Sequence, residues 1–346
     1  AGDDIDANTP TIASTSVADG TYNVGDTVAV TITAGASETG LTLAGTFNGQ
    51  TLTGITENGG GTYTGTYTVV EGDSNIADAG SVTTSYTITD AAGNSSAATT
   101  SIALDGESID ANSPTDILSV TIPDTSMNVG DVVTVTIEVR KPGHSLSGAP
   151  TVGGFALSNL VDQGNTGVGD VRRYTAEFTV TEGGTDFNAL NSIPVSIILA
   201  DAAGNTTSTF TTAITQSSDD IDANTPTIAS ISVADGTYKI GDEVAVTITA
   251  GASETGLTLA GTFNGQTLTG ITENGGGTYT GTYTVVEGDS NIADAGSVTT
   301  SYTITDAAGN SSAATTSIAL DGESIDANSP SISSIAAPSW GTSLNA

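Results

Sequence analysis

Apolar residues recur at every second position in short runs along this chain. Residues 27–33 set Val28, Val30 and Ile32 on one face of an otherwise polar segment, the period-two signature of a half-buried strand. Residues 62–70 repeat the pattern with Tyr63, Tyr67 and Val69, and residues 81–89 with Val82, Tyr86 and Ile88. Segments 41–47 and 50–55 flank Asn48-Gly49, the strongest short hairpin signal. A leading strand near 11–17 and a closing one at 96–104, ending on Ile102 and Leu104, complete seven. No segment has helical periodicity. Seven short strands in about 100 residues, with turn residues at the joints, predict an immunoglobulin-like β-sandwich without its Cys…Trp…Cys core.

The same unit returns along the chain. DIDANTP occupies residues 4–10 and 220–226, and IDANSP occupies 109–114 and 325–330. Their isoleucines, Ile5, Ile109, Ile221 and Ile325, stand 104, 112 and 104 residues apart. Copies one and three are nearly identical, with Thr15/Ile231, Asn23/Lys239 and Thr27/Glu243 among the exceptions; the middle copy keeps the frame and changes most core residues. The predicted organisation is all-β. Repeats span 1–106, 107–218 (divergent and longer) and 219–322, and 323–346 is a truncated fourth start or a tail. An odd number of antiparallel strands sends the two termini of each sandwich to opposite poles. The expectation is therefore three domains end to end as a rod, each adding on the order of 40 Å.

Charge narrows the function. The chain has 39 carboxylates against five Lys and Arg, a formal charge of −34, so ions must supply the balance. Nucleic acid is an unsuitable partner for such a surface. No cysteine, signal peptide, transmembrane run or catalytic motif is present, and there is a single histidine, His144. The reading is a non-enzymatic, monomeric, secreted fragment with no catalytic or organic-cofactor site and no direct membrane insertion.

Parity also sorts the acidic residues. The loop after strand six reads DAAGN at 90–94, 201–205 and 306–310, and faces the N-terminal pole. The loop after strand five, at the opposite pole, carries Glu71 and Asp73, Glu182 and Asp186, or Glu287 and Asp289. Strand seven ends there too, in Asp105 and Glu107 or Asp321 and Glu323. Linkers add Asp4 and Asp6; Asp110 and Asn112; Asp219, Asp220, Asp222 and Asn224; and Asp326. Each junction thus collects oxygen ligands from two poles and a linker. A hard cation preferring six to eight oxygens, Ca²⁺ before Mg²⁺, is the expected counter-ion. Without Ca²⁺ the poles would repel and each linker would hinge; with it the rod would stiffen.

DAAGN after a strand, an acidic linker ending in proline and a unit near 104 residues resemble the bacterial Ig-like repeats of giant type I-secreted RTX adhesins. That resemblance covers nearly the whole chain. It implies an extracellular extender at the bacterial cell surface, contacting neighbouring repeats, while distal domains bind the adhesion ligand in biofilms. It implicates Asp105, Glu107, Asp110, Asn112 and Asp201 as Ca²⁺ ligands at the first junction. The corresponding second set is Asp219, Asp220, Asp222, Asn224 and Asp306. Asp90 is the matching residue of the first copy.

Two other binding readings compete. The middle copy alone carries Arg140-Lys141, His144 and Arg172-Arg173, an anion or glycan contact in outline. Thr62, Thr64, Thr66 and Thr68 suggest an ice-binding face, which needs several such ranks side by side.

Overall fold

The computed structural model describes residues 6–35, 38–188, 191–215, 220–253 and 255–336. Two units partition the chain. The first comprises Ala1–Asp124, Val132–Thr179 and Leu190–Ser217; the second comprises Thr125–Asp131, Val180–Ala189 and Ser218–Ala346. No α-helix occurs among the described residues, and no helix is long and apolar enough to cross a membrane.

In the first unit, repeat 1 builds one sheet in the order Ile12–Val17, Thr27–Ala34, Thr62–Thr68 and Thr53–Glu57, all antiparallel. The second sheet runs Gln50–Thr51, Thr42–Phe47, Ser81–Thr89 and Ser101–Ala103. In immunoglobulin lettering these are A-B-E-D and C-F-G, the two sheets of the constant-type sandwich, with Gln50–Thr51 added as a short C′ strand at the edge of the second. The body of repeat 2 repeats the first sheet with Ile117–Thr121, Val132–Val139, Arg172–Thr179 and Ser158–Asn165. Its other sheet holds Phe155–Ala156, Ser145–Val152 and Val195–Ala200. In the second unit, repeat 3 orders Ile228–Val233, Glu243–Ala250, Thr278–Thr284 and Thr269–Glu273 in the same way.

Alternation becomes the core as expected. Val28, Val30, Ile32, Tyr63, Tyr67, Val69, Val82, Tyr86 and Ile88 are all buried. Each buried aliphatic contributes on the order of 1.5–3 kcal/mol relative to exposure. Tyrosine hydroxyls inside repeat 1 find partners: Tyr63 accepts from Leu41 N at 3.0 Å, and Tyr67 donates to Asp73 at 2.8 Å. Asn48 and Gly49 both have positive φ (49° and 82°), the mirror-image turn that joins twisted strands without splaying them.

Two expectations change. The run 50–55 is not one strand: Leu52 is buried and marks a crossing, so that Gln50–Thr51 and Thr53–Glu57 lie in different sheets. More consequential, the acidic linker is itself strand. Glu107–Asp110 pairs in parallel with Gly20–Asn23, Ile221–Asp222 with Met127–Asn128, and Glu323–Asp326 with Gly236–Lys239. Ile109 and Ala111 point inward and are buried, and Ile109 exchanges both backbone hydrogen bonds with Ile76 at 2.8 Å. Residues 107–111 therefore pack into repeat 1. Two inward apolar residues among acidic ones were too short a pattern to read as a strand.

Candidate functional site

Each acidic linker is held by the loop that follows strand Thr62–Thr68 or its counterpart. In repeat 1, Glu71 accepts from Ser113 N at 3.0 and 3.2 Å. Asn75 Oδ1 accepts from Ala111 N at 2.7 Å and from Asn112 Nδ2 at 2.6 Å, while Asn75 Nδ2 donates to Asp110 Oδ1 at 2.8 Å. Glu182 and Asp186 treat Thr225, Ala223 and Asn224 in the same manner, as Glu287 and Asn291 treat Ser329, Ala327 and Asn328. Asn75 and Asn291 were not singled out in the sequence. Laying EGDSN over EGGTD would have found them, because Asp186 then falls opposite both.

Other predicted ligands serve the interior of their own repeat. Asp73 accepts from Gln50 Nε2 (2.7 Å), Tyr67 Oη (2.8 Å) and Val70 N (3.0 Å), and Asp289 does the same with Gln266, Tyr283 and Val286. Burial pushes both carboxyls up, but these hydrogen bonds outweigh it and hold them below the ordinary carboxylate value. Glu107 and Glu323 are buried and accept from Asp105 N and Asp321 N at 2.5 and 2.6 Å, closing the turn before the linker strand. Asp105 and Asp321 themselves are exposed.

The DAAGN loop does the joining. Asp201 Oδ1 accepts from the backbone of Ala203, Gly204 and Asn205 at 2.9–3.0 Å, folding the loop so that Asn205 is presented outward. Asn205 Oδ1 then accepts from Val24 N of repeat 1 at 2.9 Å, and its Nδ2 donates to Asp110 O at 3.1 Å. In the second unit Asp306 folds the equivalent loop, Asn310 Oδ1 accepts from Val129 N at 2.9 Å, and Nδ2 donates to Asp222 O at 3.3 Å. Asn205 and Asn310 are each 5% exposed. Asn94 makes the same internal bonds to Asp90 but is only half-buried. One asparagine thus satisfies a strand-end N–H and a linker carbonyl of the preceding repeat.

Charge crowds this contact. Burial raises the Asp222 carboxyl above its ordinary value, and the carboxylates of Asp306, Asp186 and Asp220 push it further. Asp220 also accepts from Ser126 Oγ at 2.6 Å. Beside each clasp one amide oxygen, Asn23 Oδ1 or Asn128 Oδ1, is buried without a hydrogen-bond partner among the described residues. A cleft of about 400 Å³ at the first junction is lined by Thr21, Asn75, Asp110, Ala202 and Ala203. Among the described residues, no three His, Cys, Asp or Glu side chains gather as a metal group. The oxygens at hand are therefore a mixture of amide, carboxylate and carbonyl. Asp6 accepts from Asn8 N at 2.9 Å, and Asp326 is exposed. Asp4 and Asp219 lie outside the described residues.

Several basic residues of the middle repeat meet at one end of the strand pair Val132–Val139 and Arg172–Thr179, where Val139, next to Arg140, lies opposite Arg172. Arg172 is paired with Asp162 at 2.8 Å and Arg173 with Glu138 at 3.0 Å, both pairs partly exposed. His144 packs at a tilt against Tyr174, ring centroids 5.8 Å apart, with neither ring nitrogen bonded among the described residues, and burial lowers its pKa. Around the threonine strand, ranks do form: Thr27, Thr31 and Thr33 pair with Thr68, Thr64 and Thr62, and Thr53 and Thr56 flank the other side. Ala29 and the register shift between Thr53 and Thr56 interrupt them.

No family model matches the chain, and no curated protein does. Among solved structures it is similar to the mouse nectin-like molecule 4 full ectodomain (Ig1–Ig3), at 14% identity and a TM-score of 0.32, over 88% of this chain and 96% of that one. The N-terminal eight Ig domains of Down syndrome cell adhesion molecule match at 14% identity and a TM-score of 0.33, over 92% of this chain and 37% of that one. A marsupial T cell receptor matches at 9% identity and a TM-score of 0.31, over 90% and 100%. These likenesses are remote, and the fold rests on the strand order itself: tandem immunoglobulin-like sandwiches, joined at both junctions by the asparagine of DAAGN.

Proposed function

We propose that this chain is a non-catalytic extender of a bacterial cell-surface adhesin, a series of spacers whose coupling is set at the junctions. The observation that carries the reading is the burial of Asn205 and Asn310 against the preceding repeat's strand and linker. A spacer must transmit position from one repeat to the next. Hydrogen bonds to a strand end and a paired linker do so with little rotational freedom, whereas a solvated linker would not. Near-identity of repeats 1 and 3 supports a unit that is multiplied for length.

Ca²⁺ is the proposed partner of these junctions. The unpartnered amide oxygens of Asn23 and Asn128 and the crowded carboxyl of Asp222 fit a hard, oxygen-seeking cation. Asp110, Asp201 and Asn23 would hold it at the first junction, and Asp222, Asp306 and Asn128 at the second. When bound, the ion supplies positive charge that offsets the repulsion between like-charged poles. Extracellular sites of this class bind at roughly 10⁻⁴–10⁻³ M, so they would fill outside the cell.

The test is calorimetric titration of Ca²⁺ into the chelator-stripped chain beside the Asp110→Ala, Asp222→Ala double variant. Heat at more than one site, lost in the variant, supports the reading. Absence of heat in the parent chain removes Ca²⁺ from it and leaves a spacer coupled by hydrogen bonds alone.

A further inference from the structure

Repeats 1 and 3 differ at Thr15/Ile231, Asn23/Lys239, Val24/Ile240 and Thr27/Glu243. Three of these four lie within residues 23–27, at the pole where repeat 1 receives the DAAGN loop of its neighbour. The most chemical of them is Asn23/Lys239. Asn23, Asn128 and Lys239 each end the strand that pairs in parallel with the linker, opposite Asp110, Asp222 and Asp326 respectively. Each has its backbone N–H held by the aspartate three residues on, Asp26, Asp131 or Asp242, at 2.8–2.9 Å. The backbone at this position is therefore the same in all three repeats, and only the side chain changes.

In the first two repeats that side chain lies against the neighbour's loop. A β-carbon on Gly204 would sit 3.1 Å from Asn23 Nδ2, and one on Gly309 would sit 3.0 Å from Asn128 Nδ2. The amide oxygen of each is buried and unpartnered. Repeat 3 puts in that position an exposed ammonium-bearing chain, one of only five cationic side chains in the protein. A lysine cannot ligate a divalent cation while protonated, but it brings its own positive charge to this pole, at the strand position opposite Asp326.

We infer that Asn23 and Asn128 are cation-ligating amides, and that Lys239 makes the corresponding pole of repeat 3 independent of divalent ions by supplying the charge covalently. Resting on the Ca²⁺ reading above, this divides the junctions into two kinds: switchable where the strand ends in asparagine, constitutive where it ends in lysine. A chain built of both would stiffen at chosen joints only.

The test uses the full chain stripped of divalent ions, with Ca²⁺ as probe, and counts bound ions by native mass spectrometry. Asn23→Lys is expected to bind one ion fewer than the parent while keeping the Val24 amide protected from hydrogen exchange in chelator. Asn23→Leu is expected to lose the same ion and the protection as well. Repeat 3 shows that the fold accepts lysine at this position. Parent binding that is unchanged in Asn23→Lys overturns the inference alone, and so does loss of Val24 protection in that variant. A parent chain that binds no Ca²⁺ overturns the inference together with the reading beneath it.

Discussion

Tyr86 donates its hydroxyl to Thr15 Oγ1 at 2.5 Å, across the sandwich of repeat 1. In repeat 3 Ile231 stands at the position of Thr15, and the hydroxyl of the equivalent tyrosine, Tyr302, is buried without a partner among the described residues. Leaving such a group unpaired costs about 1–3 kcal/mol, whereas the made bond contributes about 1 kcal/mol net. Tyr302→Phe should therefore be neutral or stabilising, and Tyr86→Phe destabilising by about 1 kcal/mol. Urea denaturation of the two variants beside the parent chain measures both, and equal effects would show that the Thr15 bond contributes nothing.

At the junctions, Asn205→Ala and Asn310→Ala should release Val24 N–H and Val129 N–H respectively. We expect faster exchange of those two amides, by a factor of about 10 for each 1.4 kcal/mol of lost local stability. Asn94→Ala is the control, since Asn94 is half-buried and among the described residues its side chain bonds to Asp90 and Asp6 alone. Unchanged exchange at Val24 would mean that the clasp is not formed in solution.

Glycine in the DAAGN loop separates two costs. Gly93, Gly204 and Gly309 all have φ near 100° (95°, 106° and 109°), a conformation that any L residue adopts under strain. A β-carbon at Gly93 meets nothing within 4 Å, whereas at Gly204 it crowds Asn23. Gly204→Ala should weaken the first junction beyond the roughly 1 kcal/mol of backbone strain seen in Gly93→Ala. Differential scanning calorimetry of the two variants makes the comparison.

Acid acts on these carboxyls in two directions. Asp73 and Asp289 are held below their ordinary value, so the stability they contribute is present above the unfolded pKa and is lost as pH falls through the folded one. The denaturation midpoint should drop below about pH 4, and less so in Asp73→Asn. Asp222 is raised, so its ionisation withdraws stability as pH climbs above the unfolded value. Asp222→Asn should consequently raise the melting temperature at neutral pH in chelator. An unchanged melting temperature would mean that the like charges around Asp222 are screened.

What the sequence determined by itself is the part of the structure written with short periods. Alternation at Val28, Val30 and Ile32, at Tyr63 and Tyr67 and at Val82 and Tyr86 fixes which faces are buried, because a strand's side chains have no other period. Asn48-Gly49 determines its turn because both residues tolerate positive φ. Placing the acidic loops at the poles was also legible, since it follows from strand parity. Their partners were not. Whether Asp73 faces a cation or Tyr67, and whether Glu71 faces solvent or Ser113 N, depends on groups distant in sequence that only the folded loops bring together. The same holds for the linker, whose two apolar residues, Ile109 and Ala111, become a strand only when Gly20–Asn23 offers a free edge. Asn205 gave no signal beyond its recurrence, because its two partners, Val24 N–H and Asp110 C=O, are backbone groups that any residue would supply. Tertiary structure decided these contacts for one physical reason: a hydrogen bond is specified by where donor and acceptor meet, and local sequence carries no record of that meeting.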